Sequence, residues 1–180
     1  MRTINWKGII YKSIENCKVK KEDDYLLVNS KIVGTFETKS YSVDYTLKIN
    51  LNWEIQSFEF YAQVDTLKSI IKGNKINRGW EINKEIRNEF SNIDFIDISL
   101  SPFTNTLPIN NLNIGIGEET TIKVIYLNIL ENKIEVLQQK YIRIAERKYK
   151  FENIPNNFEA EIEVDEYGFV IFYPKLFKQF

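Results

Sequence analysis

The chain has 180 residues, 24 Lys+Arg against 25 Asp+Glu for a net charge of -1, and 43% hydrophobic residues, as expected of one domain over residues 1–180 around one core. Near-neutral charge without a Lys/Arg-rich run removes the footprint that nucleic-acid backbones or anionic membrane surfaces leave in a sequence, so no nucleic-acid partner is expected. With no His and a single Cys, Ser-His and Cys-His catalysis, His-ligated metals and an internal disulfide are excluded, and neither metal nor redox cofactor is expected.

The opening residues Met1 to Gly8 lack the apolar stretch and small-residue cleavage site of a secretory signal, which predicts a cytoplasmic location. Charges interrupt every apolar run well short of the ~20 residues that span a bilayer, so no integral membrane segment is expected. Cys17 then reads as a reduced, structurally incidental thiol.

Most of the chain alternates with period two and is dense in Ile, Val, Tyr, Phe and Thr, which predicts a β protein. Tyr25 to Thr38 reads as a long strand, and Lys39-Ser40 as the turn into a strand from Tyr41 to Leu51. In that second strand Tyr41, Val43, Tyr45, Leu47, Ile49 and Leu51 form one alternating face. After Trp53, the residues Ile55, Phe58, Phe60 and Ala62 continue the sheet. Lys72-Gly73-Asn74-Lys75 carries hairpin chemistry and predicts that Thr66–Ile71 pairs with Ile76–Ile82.

Lys84 to Phe90 is the best helix candidate, with Ile82, Ile86 and Phe90 spaced four apart. Ile96, Ile98 and Leu100 alternate with Asp97, Ser99 and Ser101, giving a strand with one polar face. An irregular stretch, Pro102 to Gly117, follows. Strands resume at Thr120–Leu130, Ile134–Ala145, Lys148–Glu152, Phe158–Val164 and Phe169–Tyr173, with a tight turn before Gly168. The total is roughly ten or eleven strands by this pattern, a mainly β single domain built as a curved antiparallel sheet, half-barrel or open barrel with one or two short helices.

The stretch Ser101-Pro102-Phe103-Thr104-Asn105-Thr106-Leu107-Pro108-Ile109 does not read as a strand. Its Thr and Asn side chains suit a self-bonded turn leading into a short helical turn near Leu107–Asn111. The same groups, with Asp97, also match the donor and acceptor pattern of sugar hydroxyls. Both readings stand on the residues alone.

Those residues carry a resemblance. Asp97-Ile98-Ser99 followed by Ser101 to Ile109 and Leu112 is similar to the signature of the bacterial putative glycolipid-binding family, an acidic strand and then T-P-x-T-N-T-L-P-I-x-x-L. Tyr41 to Tyr45 with Trp53, Gly79-Trp80, Gln139-x-Tyr141, and Phe158 to Asp165 with Gly168 and Tyr173-Pro174 resemble its other motifs in order. The resemblance implies a half-barrel similar to bacterial lipoprotein-carrier factors, its concave side closed by short helices or loops. It also implies non-enzymatic binding of an amphipathic, glycolipid-like ligand by Tyr45, Trp53, Trp80, Asp97, Thr104, Asn105, Tyr141 and Tyr173. This chain departs from the family at Phe95, Ile55, Asn110 and Asn111. The two Asn stand where two Arg are usual, which points away from a phosphate head group and toward a neutral glycan.

An aromatic content of 14% suits a concave apolar face with polar ring tips. Two other classes stay open at this level. One is a protein-interaction module using a strand edge or apolar patch. The other is a carboxylate enzyme acting on glycosides; Asp94 and Asp97 point to opposite faces, leaving Asp97 with Glu118, Glu119 or Asp165 as possible pairs.

Overall fold

In a computed structural model of the chain, which describes residues 1–77, 79–154 and 157–180, the alternation becomes one continuous curved sheet. Its strands are β1 (Arg2–Gly8), β2 (Ser13–Lys21), β3 (Tyr25–Phe36), β4 (Lys39–Asn50), β5 (Ile55–Val64), β6 (Leu67–Ile76), β7 (Gly79–Ile82), β8 (Glu85–Arg87), β9 (Phe95–Ile98), β10 (Glu119–Asn128), β11 (Lys133–Ala145), β12 (Lys148–Asn153), β13 (Phe158–Val164), β14 (Val170–Tyr173) and β15 (Phe177–Gln179). Short 3-10 turns lie at Asn88–Phe90 and Phe103–Asn105, and the second runs into α1 (Thr106–Asn111).

The lateral order is β8-β7-β6-β5-β4-β3-β2-β1-β15-β14-β13-β12-β11-β10-β9. Two antiparallel meanders are thus joined by β1 pairing with β15, near the two ends of the chain. The exception is β9, which runs parallel to β10 with Asp97 opposite Tyr126. A parallel neighbour needs a crossover rather than a hairpin, and the irregular stretch after β9 is that crossover.

Period-two alternation places the core. In β4, Tyr41, Val43, Tyr45, Leu47 and Ile49 all point inward and are buried. The crossover fills the concave side: Leu100 to Ile109 are buried without a break. Ten successive buried residues in a non-strand segment mean that protein surrounds them, so this segment is a plug. Phe103 and Leu107, both 0% exposed, anchor it in the main core.

The mainly β class and the short helix near Leu107 agree with expectation, but fifteen strands exceed ten or eleven. The surplus lies in β1, β2 and β15 and in the short β8. On β2 the inward residues are Ser13, Glu15, Cys17 and Val19, so two polar side chains mask the alternation. The first long hairpin turns at Glu37-Thr38 rather than Lys39-Ser40, because Glu37 takes the left-handed φ of 53° that a tight turn needs.

Two further expectations are corrected. Lys84–Phe90 is no helix: Glu85–Arg87 pairs with β7, and Ile86 is 65% exposed, so the four-residue spacing marks no buried face. Nor is Gly73 a turn residue. It lies inside β6 opposite Phe58, and β6 runs on to Ile76 and pairs with β7 from Gly79; Arg78, within the predicted second strand, lies outside the described residues. A Cβ at Gly73 would stand 2.2 Å from the Phe58 ring, so glycine is there to let the ring lie on the backbone. Gly73→Ala is expected to cost about 1–3 kcal/mol in urea unfolding, the range for overpacking a filled site.

Candidate functional site

The plug does not fill the concave side completely. A pocket of about 450 Å³ remains between the polar face of β9, the start of the plug, β10, and the ends of β12 to β15. Its volume falls in the range typical of small-molecule sites. One wall is polar, made of Asp97, Ser99, Ser101 and Asn105. The rest of the lining is largely aromatic and aliphatic, from Tyr11, Phe36, Tyr126, Phe151, Phe158, Tyr173, Leu176 and Phe177, and Tyr126 stands directly beside Asp97 on the neighbouring strand. Tyr11 stacks on Phe177 at 5.8 Å between ring centroids, and Phe151 meets Tyr173 edge-on at 6.0 Å.

Hydrogen bonds hold the polar wall rigid. Thr104 Oγ1 donates to Asp97 Oδ1 at 2.9 Å and accepts the Ile98 amide at 3.2 Å. Gln139 Nε2 donates to Asp97 Oδ2 at 2.6 Å. Asn105 Nδ2 donates to the Tyr141 hydroxyl at 2.8 Å. Burial pushes the Asp97 carboxyl up from its ordinary value, against the pull of the Thr104 and Gln139 hydrogen bonds. Burial, and then the Asp97 charge, also raise the Tyr11, Tyr141 and Tyr173 phenols, so all three stay protonated donors near neutral pH. Thr104→Val keeps the shape but removes one bond to Asp97 and the acceptor for Ile98. We expect it to lower stability by about 1–3 kcal/mol and to move the Asp97 titration, followed by carboxyl NMR, further up.

Two unsatisfied groups stand out. Asn153 lines the pocket and its buried Oδ1 has no partner among the described residues. Behind Ser101, Glu15 is 2% exposed and its Oε1 receives Tyr45 OH at 2.6 Å, Ser30 Oγ at 2.7 Å and Ser101 Oγ at 2.9 Å. Glu15 Oε2 is buried and unpartnered. Burial drives this carboxyl up to about 7 despite the three hydroxyls, and pushes the neighbouring Cys17 thiol up as well. Cys17 is consequently an inert buried thiol.

A family model described as Putative glycolipid-binding matches residues 3–179. The chain belongs to that family. A solved structure of a DUF1089 family protein from Pseudomonas aeruginosa has 30% sequence identity and a TM-score of 0.83, covering 93% of this chain and 92% of that one. No curated protein matches.

Within this family member, the motif residues fall into three groups. Asp97, Asn105 and Tyr173 line the pocket. Thr104, Tyr141 and Tyr45 stand one contact behind, bonded to Asp97, Asn105 and the Glu15–Ser101 pair respectively. Trp53 and Trp80 stand elsewhere. Trp53 occupies the β4–β5 turn at φ 64° with its ring edge-on to Phe169, and the Asn50 side chain holds that turn by accepting the Asn52 and Glu54 amides. Trp80 is a core ring against Phe58 whose Nε1 donates to the Ile93 carbonyl at 3.0 Å.

Asn110 and Asn111 do not line this pocket. Asn110 Nδ2 donates to the Tyr167 carbonyl at 3.0 Å and Asn111 Nδ2 to the Asn52 carbonyl at 2.7 Å, so both pin α1 to turns. Among the described residues, Asp97 is the one charged group of the pocket lining, with no Lys or Arg beside it. Glu118, Glu119 and Asp165 lie outside it, leaving Asp97 without a second carboxylate in the pocket.

Glu15, Asn153, Tyr11, Phe151 and Phe177 were missed in the sequence. Glu15 had a signal, an acid in phase with Cys17 and Val19 on β2. The rings had none, because only long-range pairing decides which of them share a wall.

Proposed function

We propose that the chain, as one binding unit working in the cytoplasm, holds an amphipathic ligand in this pocket without chemical turnover. The observation that carries the reading is a pocket with one aromatic wall and one hydrogen-bonding wall, in which a buried Asn153 Oδ1 awaits a donor. An apolar tail against the rings gains roughly 0.8 kcal/mol per buried methylene. Hydroxyls of a neutral glycan can donate to Asp97 and Asn153 and accept from the tyrosine phenols. A phosphate would meet the Asp97 carboxylate with no cation beside it, which disfavours it. Two-carboxylate glycoside hydrolysis lacks its second acid here.

Octyl glucoside, below its micelle concentration, is a suitable probe by isothermal titration calorimetry, compared with octyl phosphate. The glucoside is expected to bind and the phosphate to bind at least tenfold more weakly. Asp97→Asn, which keeps the shape and removes the charge, is expected to weaken the glucoside about tenfold, the worth of a charge-assisted hydrogen bond. No heat from either probe, or a preference for the phosphate, would contradict the proposal.

A further inference from the structure

We propose that the outward face of β15, β1, β2 and β3, together with the β1–β2 turn, docks on a lipid bilayer that carries anionic lipid. Register places Lys178, Lys7, Ile14 and Val33 side by side in one row across these four strands. Ile14 is 59% and Val33 53% exposed. The β1–β2 turn extends the patch with Ile9 and Ile10, both nearly half exposed, and with Lys12. The groove that runs along this surface is lined by Lys7 and Lys12 and by no Asp or Glu.

Charge is what selects the partner. Lys7 and Lys178 stand directly opposite each other on adjacent strands, an arrangement that is destabilising in an isolated sheet. Neither they nor Lys12 make an ion pair among the described residues. Unpaired cations flanking exposed isoleucines match a surface of anionic head groups over hydrocarbon. These lysines come from both ends of the chain, which is why a search for a basic run finds nothing.

Position adds a reason. Ile9 belongs to the groove, while Ile10 and Tyr11 of the same turn line the pocket, so a docked protein would hold the pocket beside the bilayer. The inference rests on the amphiphile reading of the pocket, because a bilayer is where such a ligand partitions.

Sedimentation with phosphatidylcholine–phosphatidylglycerol vesicles, against phosphatidylcholine vesicles alone, tests it. At about 0.1 M salt the protein is expected to sediment with the mixed vesicles, and to be released at about 1 M, where screening shortens to about 3 Å. Lys7→Glu turns the repelling pair into an attracting one, so the fold is not at risk. At roughly fivefold per charge near the surface, its two-charge change is expected to weaken vesicle binding about thirtyfold. Equal binding to both vesicles, no sedimentation at low salt, or a Lys7→Glu protein that binds like the wild type would each overturn the inference. Octyl glucoside binding by Lys7→Glu is read separately. Vesicle binding without glucoside binding would sink the pocket reading, and glucoside binding without vesicle binding would sink the docking face alone.

Discussion

Replacing Glu15 by Gln is expected to flatten the pH dependence of stability. The folded carboxyl titrates at about 7, well above the value of 4.5 for an unperturbed Glu. The folded state therefore holds this proton more tightly than the unfolded chain. By linkage, the contribution of this group is fully present below about pH 4.5, declines as pH rises toward 7, and is smaller by about 3 kcal/mol above it. Asp97 is shifted in the same direction and leaves a residual slope in the variant. Carboxylates paired with lysine or arginine on the surface, Glu59, Glu89 and Glu152, are shifted down and so act only at more acidic pH. Gln keeps an acceptor for the Tyr45, Ser30 and Ser101 hydroxyls but carries no titrating proton. Urea unfolding of both proteins between pH 5 and pH 8 reads the difference; parallel slopes would show that Glu15 does not carry the buried charge.

Phe103→Ala is expected to cost about 3–5 kcal/mol, the range for truncating a fully buried aromatic side chain. The ring is 0% exposed and lies against Phe169 at 6.2 Å between centroids. It anchors the segment that carries Thr104 and Asn105, so the loss reaches the pocket as well as the core. Against a total stability of about 5–15 kcal/mol, such a change removes a large share of the margin that keeps the chain folded. Octyl glucoside binding should fall with it, since the polar wall would lose its support. A loss below about 1 kcal/mol in urea unfolding would mean that the plug does not seal the sheet.

Much of the sheet was legible in the sequence because an inward strand position is normally apolar. Tyr41 to Ile49 shows this directly: the alternating residues read as one face are the ones the core buries. The rule fails where an inward residue is polar, and β2 was overlooked because Ser13 and Glu15 take inward positions. It fails again where glycine serves a neighbour rather than a turn, as Gly73 does beneath Phe58. Local spacing also misleads in short elements, since Ile82, Ile86 and Phe90 fit one helix face, whereas Ile82 and Ile86 belong to the two strands of a hairpin and Phe90 to the 3-10 turn after it.

Half of the pocket was legible for a different reason. Asp97 and Asn105, with Thr104 and Tyr141 one contact behind them, come from compact motifs whose side chains bond one another, so the motifs themselves point to this site. The aromatic lining is assembled from Tyr11, Tyr126, Phe151 and Phe177, four rings on four distant segments. They meet because β1 pairs with β15 and closes two meanders into one sheet, and no window of sequence contains that pairing.

The central claim is that the pocket between Asp97 and the aromatic wall holds an amphipathic ligand. Native mass spectrometry of the protein purified from its own host, followed by solvent extraction, tests this most directly. The account predicts one co-purifying amphiphile per chain, with a hydroxyl-rich uncharged head group, lost or diminished in Asp97→Asn. A clean apo mass that persists after incubation with host lipid extract would contradict it.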